Sequence, residues 1–304
     1  MDYVRCSHEV IAFDCFGCGR SPKPNKWDAY GYEALRADLA AVLASYGSNT
    51  ARRHTKNVLV AHSAGCSLSL AVVAAVHAQP SVTIDGLCLL GALGAAIKPH
   101  PVFYLPVFLL NRLQPTLSAG FEALALHEHT RQATTEAHRK VLALAAGVNA
   151  SNPMHMCKAY YRQYGAPTPD EVRKVAERVK SICLIVGEGD QLVPLAGTEA
   201  LKALLPSGTP LHVIPRASHQ MMQEDPGMCS EWRARQEESK LARSRGSALA
   251  ANLPCVGLLR RSCCHRRLSA RRAGLRRRRP MEEGFGVDRS TSNPSTYDVR
   301  QHKK

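Results

Sequence analysis

Ser63 stands in the run Ala61-His62-Ser63-Ala64-Gly65, between an apolar β-type stretch, residues 57–61, and a helical pattern over residues 64–78. A serine on a sharp strand-to-helix turn is suited to nucleophilic attack, because the turn lifts its Oγ above the sheet. The strained backbone leaves room only for small side chains two positions before and after it, which Ala61 and Gly65 provide. The same turn sets the Ala64 N–H at a helix N-terminus, where the helix dipole can stabilise an oxyanion. An ordinary serine in a strand–helix loop is the competing reading; the strand before and the helix after favour the nucleophile.

A serine hydroxyl needs a base, and the base needs an acid to orient it. The β-type run 181–186 ends in Gly187-Glu188-Gly189-Asp190, a carboxylate on a loop at the carboxyl edge of a sheet. Active sites of open α/β sheets collect at that edge. Asp190 has an alternative job as a cap for the helix expected from Pro194, and Glu188 is its nearest competitor. After the run 211–214 comes Pro215-Arg216-Ala217-Ser218-His219, a histidine able to point across the sheet edge at Ser63 with the carboxylate on its other nitrogen. With 13 histidines in the chain, one alone means little. The order Ser63, Asp190, His219, each just past an expected strand, singles it out. His62 is expected to point away from the nucleophile.

The elements that must hold these residues alternate short β runs with helical patterns, the mark of an α/β fold: a mostly parallel sheet covered by helices. Strands are expected at residues 9–13, 57–61, 86–90, 181–186 and 211–214, with helices at 32–45, 64–78 and 194–205. Residues 98–180 show no clear strand, and a structureless loop of that length is implausible in a compact domain, so the interval reads as a helical cap insertion. The expected organisation is a first core part at 1–97, the cap at 98–180, a second core part at 181–230 and an arginine-rich tail at 231–304. Within the cap, Phe103, Tyr104, Phe108, Leu109 and Phe121 form an apolar stripe. It either lines an acyl pocket or packs the cap onto the core, and periodicity does not separate the two.

The chain of 304 residues is 45% hydrophobic and 21% charged, which excludes fibrous and membrane-spanning classes, and its formal charge is +15. That charge is uneven. Residues 1–230 hold 21 basic and 18 acidic side chains, whereas residues 231–304 hold 19 and 7. The tail reads as largely disordered, for its arginines are interleaved with Ser, Ala and Gly and few large apolar residues follow Leu275 to offset its ordering entropy. Specific nucleic-acid binding is not expected, because Trp232, Phe285 and Tyr297 are too scattered among the arginines to make a stacking platform. Weak contact with anions or membrane surfaces through the tail is the expected residue of that charge. The 11 cysteines suggest no disulfide framework, and Cys15 and Cys18 make a lone CxxC with no partner pair at zinc spacing, so no metal is expected. The start has no apolar leader, and the most apolar stretch, 102–113, contains Pro106 and is too short to span a bilayer. An intracellular, cytoplasmic setting is expected.

Four stretches together are similar to the α/β-hydrolase superfamily, and within it to the animal α/β-hydrolase domain-containing proteins. They are the strand and turn Val10-Ile-Ala-Phe-Asp14-Cys-Phe-Gly17-Cys-Gly19-Arg-Ser21, the elbow at Ala61–Gly65, the acid loop ending Asp190-Gln-Leu-Val-Pro194, and Ala217-Ser-His219. The resemblance covers about residues 8–226. It implies that Ser63 is the nucleophile, Asp190 the acid, His219 the base, and the Ala64 N–H an oxyanion donor, with no cofactor. It implies a serine hydrolase but says little about substrate. An ester or lipid acyl substrate is the leading reading, while peptidase, thioesterase, carbon–carbon hydrolase and acyltransferase activities use the same triad and stay open. A serine rather than an aspartate at the elbow argues against epoxide or haloalkane chemistry. The departures are Ala61 where the first glycine is commoner, and no counterpart for the family's three leading strands, the third of which precedes a His-Gly loop carrying the second oxyanion N–H. Their lack is expected to leave a gap in the sheet between the strands at 9–13 and 57–61, with unpaired backbone groups. With the arginine-rich tail in place of a closing helix, this suggests a gene model cut short in front and replaced behind. A catalytically impaired binding module is therefore the alternative function.

Overall fold

The computed structural model describes residues 8–47, 56–76, 83–96, 98–132, 135–225 and 256–261. The chain divides into two units, Met1–Cys263 and Cys264–Lys304, and every described residue lies in the first.

Six strands form one sheet: β1 (His8–Ala12), β2 (Asn57–His62), β3 (Gly86–Leu90), β4 (Ser181–Gly187), β5 (Leu211–Ile214) and β6 (Val256–Arg261). Their order across the sheet is β1-β6-β2-β3-β4-β5. Strands β2 to β5 run parallel in consecutive order, in register from Val58 opposite Gly86 and Gly86 opposite Ser181 to Leu184 opposite Leu211. These central strands are continuous apolar runs rather than alternating ones, as a sheet covered on both faces requires. Leu59, Leu87, Leu89 and Leu184 are fully buried.

Helix α1 (Tyr32–Gly47) and α2 (Ala64–Val76) follow β1 and β2. α2 is apolar almost all round because it is enclosed: it packs on β2 and against both α1 and α7 (Pro169–Arg178), with Leu70, Ala71 and Val73 fully buried. α7 starts with a reciprocal cap, the Thr168 hydroxyl accepting from the Glu171 N–H while the Glu171 carboxylate accepts from the Thr168 N–H, and with Pro169 in its first turn. Glu171 also pairs with Arg36 of α1 at 3.1 Å. Between β3 and β4 the described residues form α3 (Val107–Ala125), α4 (Glu128–Gln132), α5 (Glu136–Ala150) and α6 (Met154–Arg162) ahead of α7, so this interval is helical. α8 (Leu195–Lys202) follows β4, and the short α9 (Met221–Glu224) follows β5.

The expected gap in the sheet is not there. β6, from within the arginine-rich segment, lies between β1 and β2 and pairs antiparallel with both, Val10 and Val58 each opposite Leu259. The physical reason is the one that made a gap costly: a slot one strand wide would leave two rows of N–H and C=O groups without partners, and any β-capable segment lowers that cost by entering it. The rest of residues 231–304 lies outside the described residues.

Candidate active site

Ser63 follows β2 at once and precedes α2 at once, and its φ is +54°, in the left-handed region that non-glycine residues avoid. That conformation costs about 1–3 kcal/mol and persists only when its surroundings over-determine it. Here the Ser63 N–H donates to the Leu90 carbonyl at 2.8 Å and its own carbonyl accepts from the Cys66 N–H at 2.8 Å. The buried Cys66 thiol reaches the Ala61 and Leu90 carbonyls, both at 3.3 Å, closing the turn from below. Ala64 is the first residue of α2, so its N–H belongs to the helix end that has no intrahelical acceptor.

Three side chains from three loops at this edge are joined in one line. The Ser63 Oγ–H points to His219 Nε2 at 2.8 Å, and His219 Nδ1–H points to Asp190 Oδ2 at 2.8 Å. The acceptor-only carboxylate places the imidazole proton on Nδ1, which leaves Nε2 free to take the serine proton. Asp190 and His219 are 5% and 3% exposed, and Ser63 is half-buried. The other oxygen of Asp190, Oδ1, accepts from the N–H groups of Leu192 and Val193 at 3.0 and 2.8 Å, so the carboxylate is fixed from both sides. The helix cap considered for it is absent: α8 has Pro194 at its N-cap and no side-chain cap bond. Glu188 turns away and accepts from the Arg216 N–H at 3.1 Å.

Two glycines make room for the histidine. A Cβ on Gly187 would stand 2.3 Å from the Ser218 carbonyl oxygen, so the histidine loop passes directly over this residue. Gly91 has φ +56°, and a Cβ there would meet the His219 ring at 3.2 Å.

His62 lies against the histidine loop, a role that sequence reasoning missed. Its Nε2–H donates to the His219 carbonyl at 2.8 Å, and the two rings lie 4.7 Å apart. Burial, with the neighbouring His219, pushes its pKa down to about 3, so it stays neutral. The available signal was its position: a residue next to the elbow serine on a strand points to the opposite face, where the next loop lies.

The five residues of the expected stripe differ in exposure. Phe103 stacks on Tyr161 with centroids 4.5 Å apart, Phe121 is half-buried, and Tyr104, Phe108 and Leu109 are 58%, 70% and 36% exposed. Among the described residues no hydrogen bond or ring contact joins these five to Ser63, Asp190 or His219. A cleft of about 280 Å³ between the helical interval and the loop after β1 is lined by residues that include Trp27, Tyr30, Val107, His155, Lys158 and Arg162. No helix among the described residues is long and apolar enough to cross a membrane.

The chain is 28% identical over 226 residues to Protein ABHD8 of Bos taurus, a match covering 74% of this chain and 48% of that protein. It therefore spans about half the length of the curated relatives it matches. Among solved structures it is similar to a thermophilic esterase from Thermogutta terrifontis, with TM-score 0.54 and 19% identity over 77% of this chain and 79% of that one. An esterase from Exiguobacterium antarcticum is similar at TM-score 0.53 and 15% identity over 76% and 79%. At these identities the likeness is one of fold. The model of the alpha/beta hydrolase family matches residues 2–232, and the chain belongs to that family.

Proposed function

We propose that this protein is a serine hydrolase that cleaves carboxylic ester or lipid acyl substrates through Ser63, His219 and Asp190. The observation that carries the reading is the unbroken hydrogen-bond line from Ser63 Oγ through the His219 imidazole to Asp190, with a φ of +54° at the serine. As the Ser63 oxygen attacks an acyl carbonyl, His219 Nε2 takes its proton and Asp190 stabilises the resulting imidazolium. The Ala64 N–H faces the developing oxyanion. His219 then gives the proton to the leaving alcohol, and the same nitrogen later activates water to release the acid from the acyl-enzyme. No metal or organic cofactor enters this sequence. The exposed Tyr104, Phe108 and Leu109 are the part of the expected stripe left open to an acyl chain, and a small acyl ester, not nucleic acid, is the substrate class proposed. Nitrophenyl esters of increasing acyl length test it: turnover that disappears in Ser63→Ala supports the reading, and equal turnover by wild type and variant overturns it.

One observation favours a second reading, a catalytically impaired binding module. β6 is antiparallel to its neighbours, whereas the resemblance calls at that position for a strand whose following loop donates the second oxyanion N–H. Losing one such donor costs about 2.7–4 kcal/mol of transition-state stabilisation. Slow acylation of Ser63 with no turnover of any ester would favour this second reading.

A further inference from the structure

Glu224, the last residue of α9, is 9% exposed and has no cationic side chain paired with it among the described residues. A buried carboxylate without a counter-ion is costly unless hydrogen bonds hold its charge. Both of its oxygens are used: Oε1 accepts from the His127 N–H and Oε2 from the Ser218 N–H, each at 2.6 Å. These donors belong to different parts of the molecule. His127 lies at the corner of the cap between α3 and α4, and Ser218 is the residue before His219.

The same corner touches the histidine loop twice more. The Ser218 hydroxyl lies 3.0 Å from both the Leu124 and the Gly189 carbonyls, and the Gln220 N–H donates to the Ala125 carbonyl at 3.1 Å. His219 is thus flanked on each side by a residue bonded to the cap, while its own carbonyl is held from behind by His62. Its two ring nitrogens must meet Ser63 and Asp190 together, both at 2.8 Å, which leaves little tolerance for movement of the loop.

We propose that Glu224 is a positioning residue that ties the cap corner, residues 124–127, to the histidine loop, so that the placement of the cap sets the alignment of His219 on Ser63. The consequence is coupling: whatever displaces the corner loosens the base, and a substrate that seats the cap tightens it. A misplacement near 1 Å is enough to cost about 10²-fold in rate. This rests on the proposed hydrolase function for its kinetic effect but not for its structural one.

The experiment uses the full chain and two ways of cutting the link. His127→Pro removes the cap-side donor together with the imidazole, which accepts from the His129 N–H, and His127→Ala, which removes the imidazole but keeps the donor N–H, is its partner. Glu224→Gln puts an amide N–H₂ against one of the two donors, and it carries the test if His127→Pro does not fold. Proton NMR of the His219 Nδ1–H bonded to Asp190 is the readout that needs no substrate. We expect a sharp downfield resonance in wild type and His127→Ala, broadened or lost in His127→Pro and Glu224→Gln. With an ester substrate, kcat should fall about 10- to 100-fold in the latter two at unchanged KM. Folded His127→Pro and Glu224→Gln proteins with an unaltered resonance and unaltered kcat would overturn the proposal. If wild type turns over no ester while the resonance still responds to the variants, the hydrolase reading fails and the coupling stands.

Discussion

The two flanks of β2 are built differently. On one side the parallel strands β3, β4 and β5 hand the site along the sheet edge through successive backbone bonds: Ser63 N–H to Leu90, Gly91 N–H to Ile185, Glu188 N–H to Ile214 and Gly189 N–H to Ala217. Every loop carrying a triad side chain is tied to its neighbour in this way. On the other side β6 runs in the opposite direction, so it meets the Ser63 edge with its first residue, Val256 opposite Ala61, rather than with the end of a strand and the loop that would follow. The loops of the parallel flank bring Ser63, His219 and Asp190 into line without a contribution from the other. In the proposed mechanism, activation of Ser63 and stabilisation of the oxyanion are therefore separable, the first resting on the line from Ser63 through His219 to Asp190 and the second on the Ala64 N–H.

Substitutions on the parallel flank should be the most damaging. Ser63→Ala removes the nucleophile and should lower kcat by up to about 10⁶-fold in steady-state ester hydrolysis. Asp190→Asn, which keeps the shape but favours the wrong imidazole tautomer, should lower kcat about 10⁴-fold. Gly187→Ala drives a methyl group into the Ser218 carbonyl and should cost about 10²-fold in kcat by shifting the histidine loop, read against a nearly unchanged circular dichroism spectrum. On the other flank the expected effect is on stability. Leu259→Pro removes a backbone donor from a strand paired on both sides and should cost about 1–3 kcal/mol in urea unfolding, with the line-up of Ser63, His219 and Asp190 retained. An unchanged midpoint would mean that β6 adds nothing to the sheet.

A pH-dependent effect concerns His62. Its folded pKa of about 3 lies below the ordinary histidine value of 6.5, so between those limits the unfolded chain binds more protons than the folded one. Its contribution to stability is present above pH 6.5 and is lost as pH falls toward 3. His62→Gln should flatten that part of the stability profile, measured as urea midpoints from pH 7 to pH 4.

Much of the parallel flank was legible in the sequence because its signals are local. Short apolar runs mark β2 to β5 within a residue or so, and the elbow Ala61–Gly65 sits where strand gives way to helix. Residues 86–90 and 211–214 match β3 and β5 end for end. Where the reading failed, the information was not local. β6 is a short apolar run, Val256-Gly-Leu-Leu, inside a segment whose arginines dominate any window, and only a vacant place between β1 and β2 makes it a strand. α7 did carry a local signal that went unused, Thr168-Pro169 with Glu171 three residues on. Glu224 was out of reach for another reason: its partners are backbone groups of residues 127 and 218, and backbone partners leave no mark on residue type. The partner of His62 is likewise a backbone carbonyl, so its position beside the elbow was the only clue.

The central claim is that Ser63 is an activated nucleophile, and intact-mass analysis after treatment with a fluorophosphonate tests it most directly, since the reagent needs the base and the oxyanion site but no particular substrate. One adduct per chain, mapped to Ser63 and absent from Ser63→Ala and His219→Ala, is the predicted result. A folded protein that takes up no adduct, or one whose adduct survives in Ser63→Ala, would contradict it.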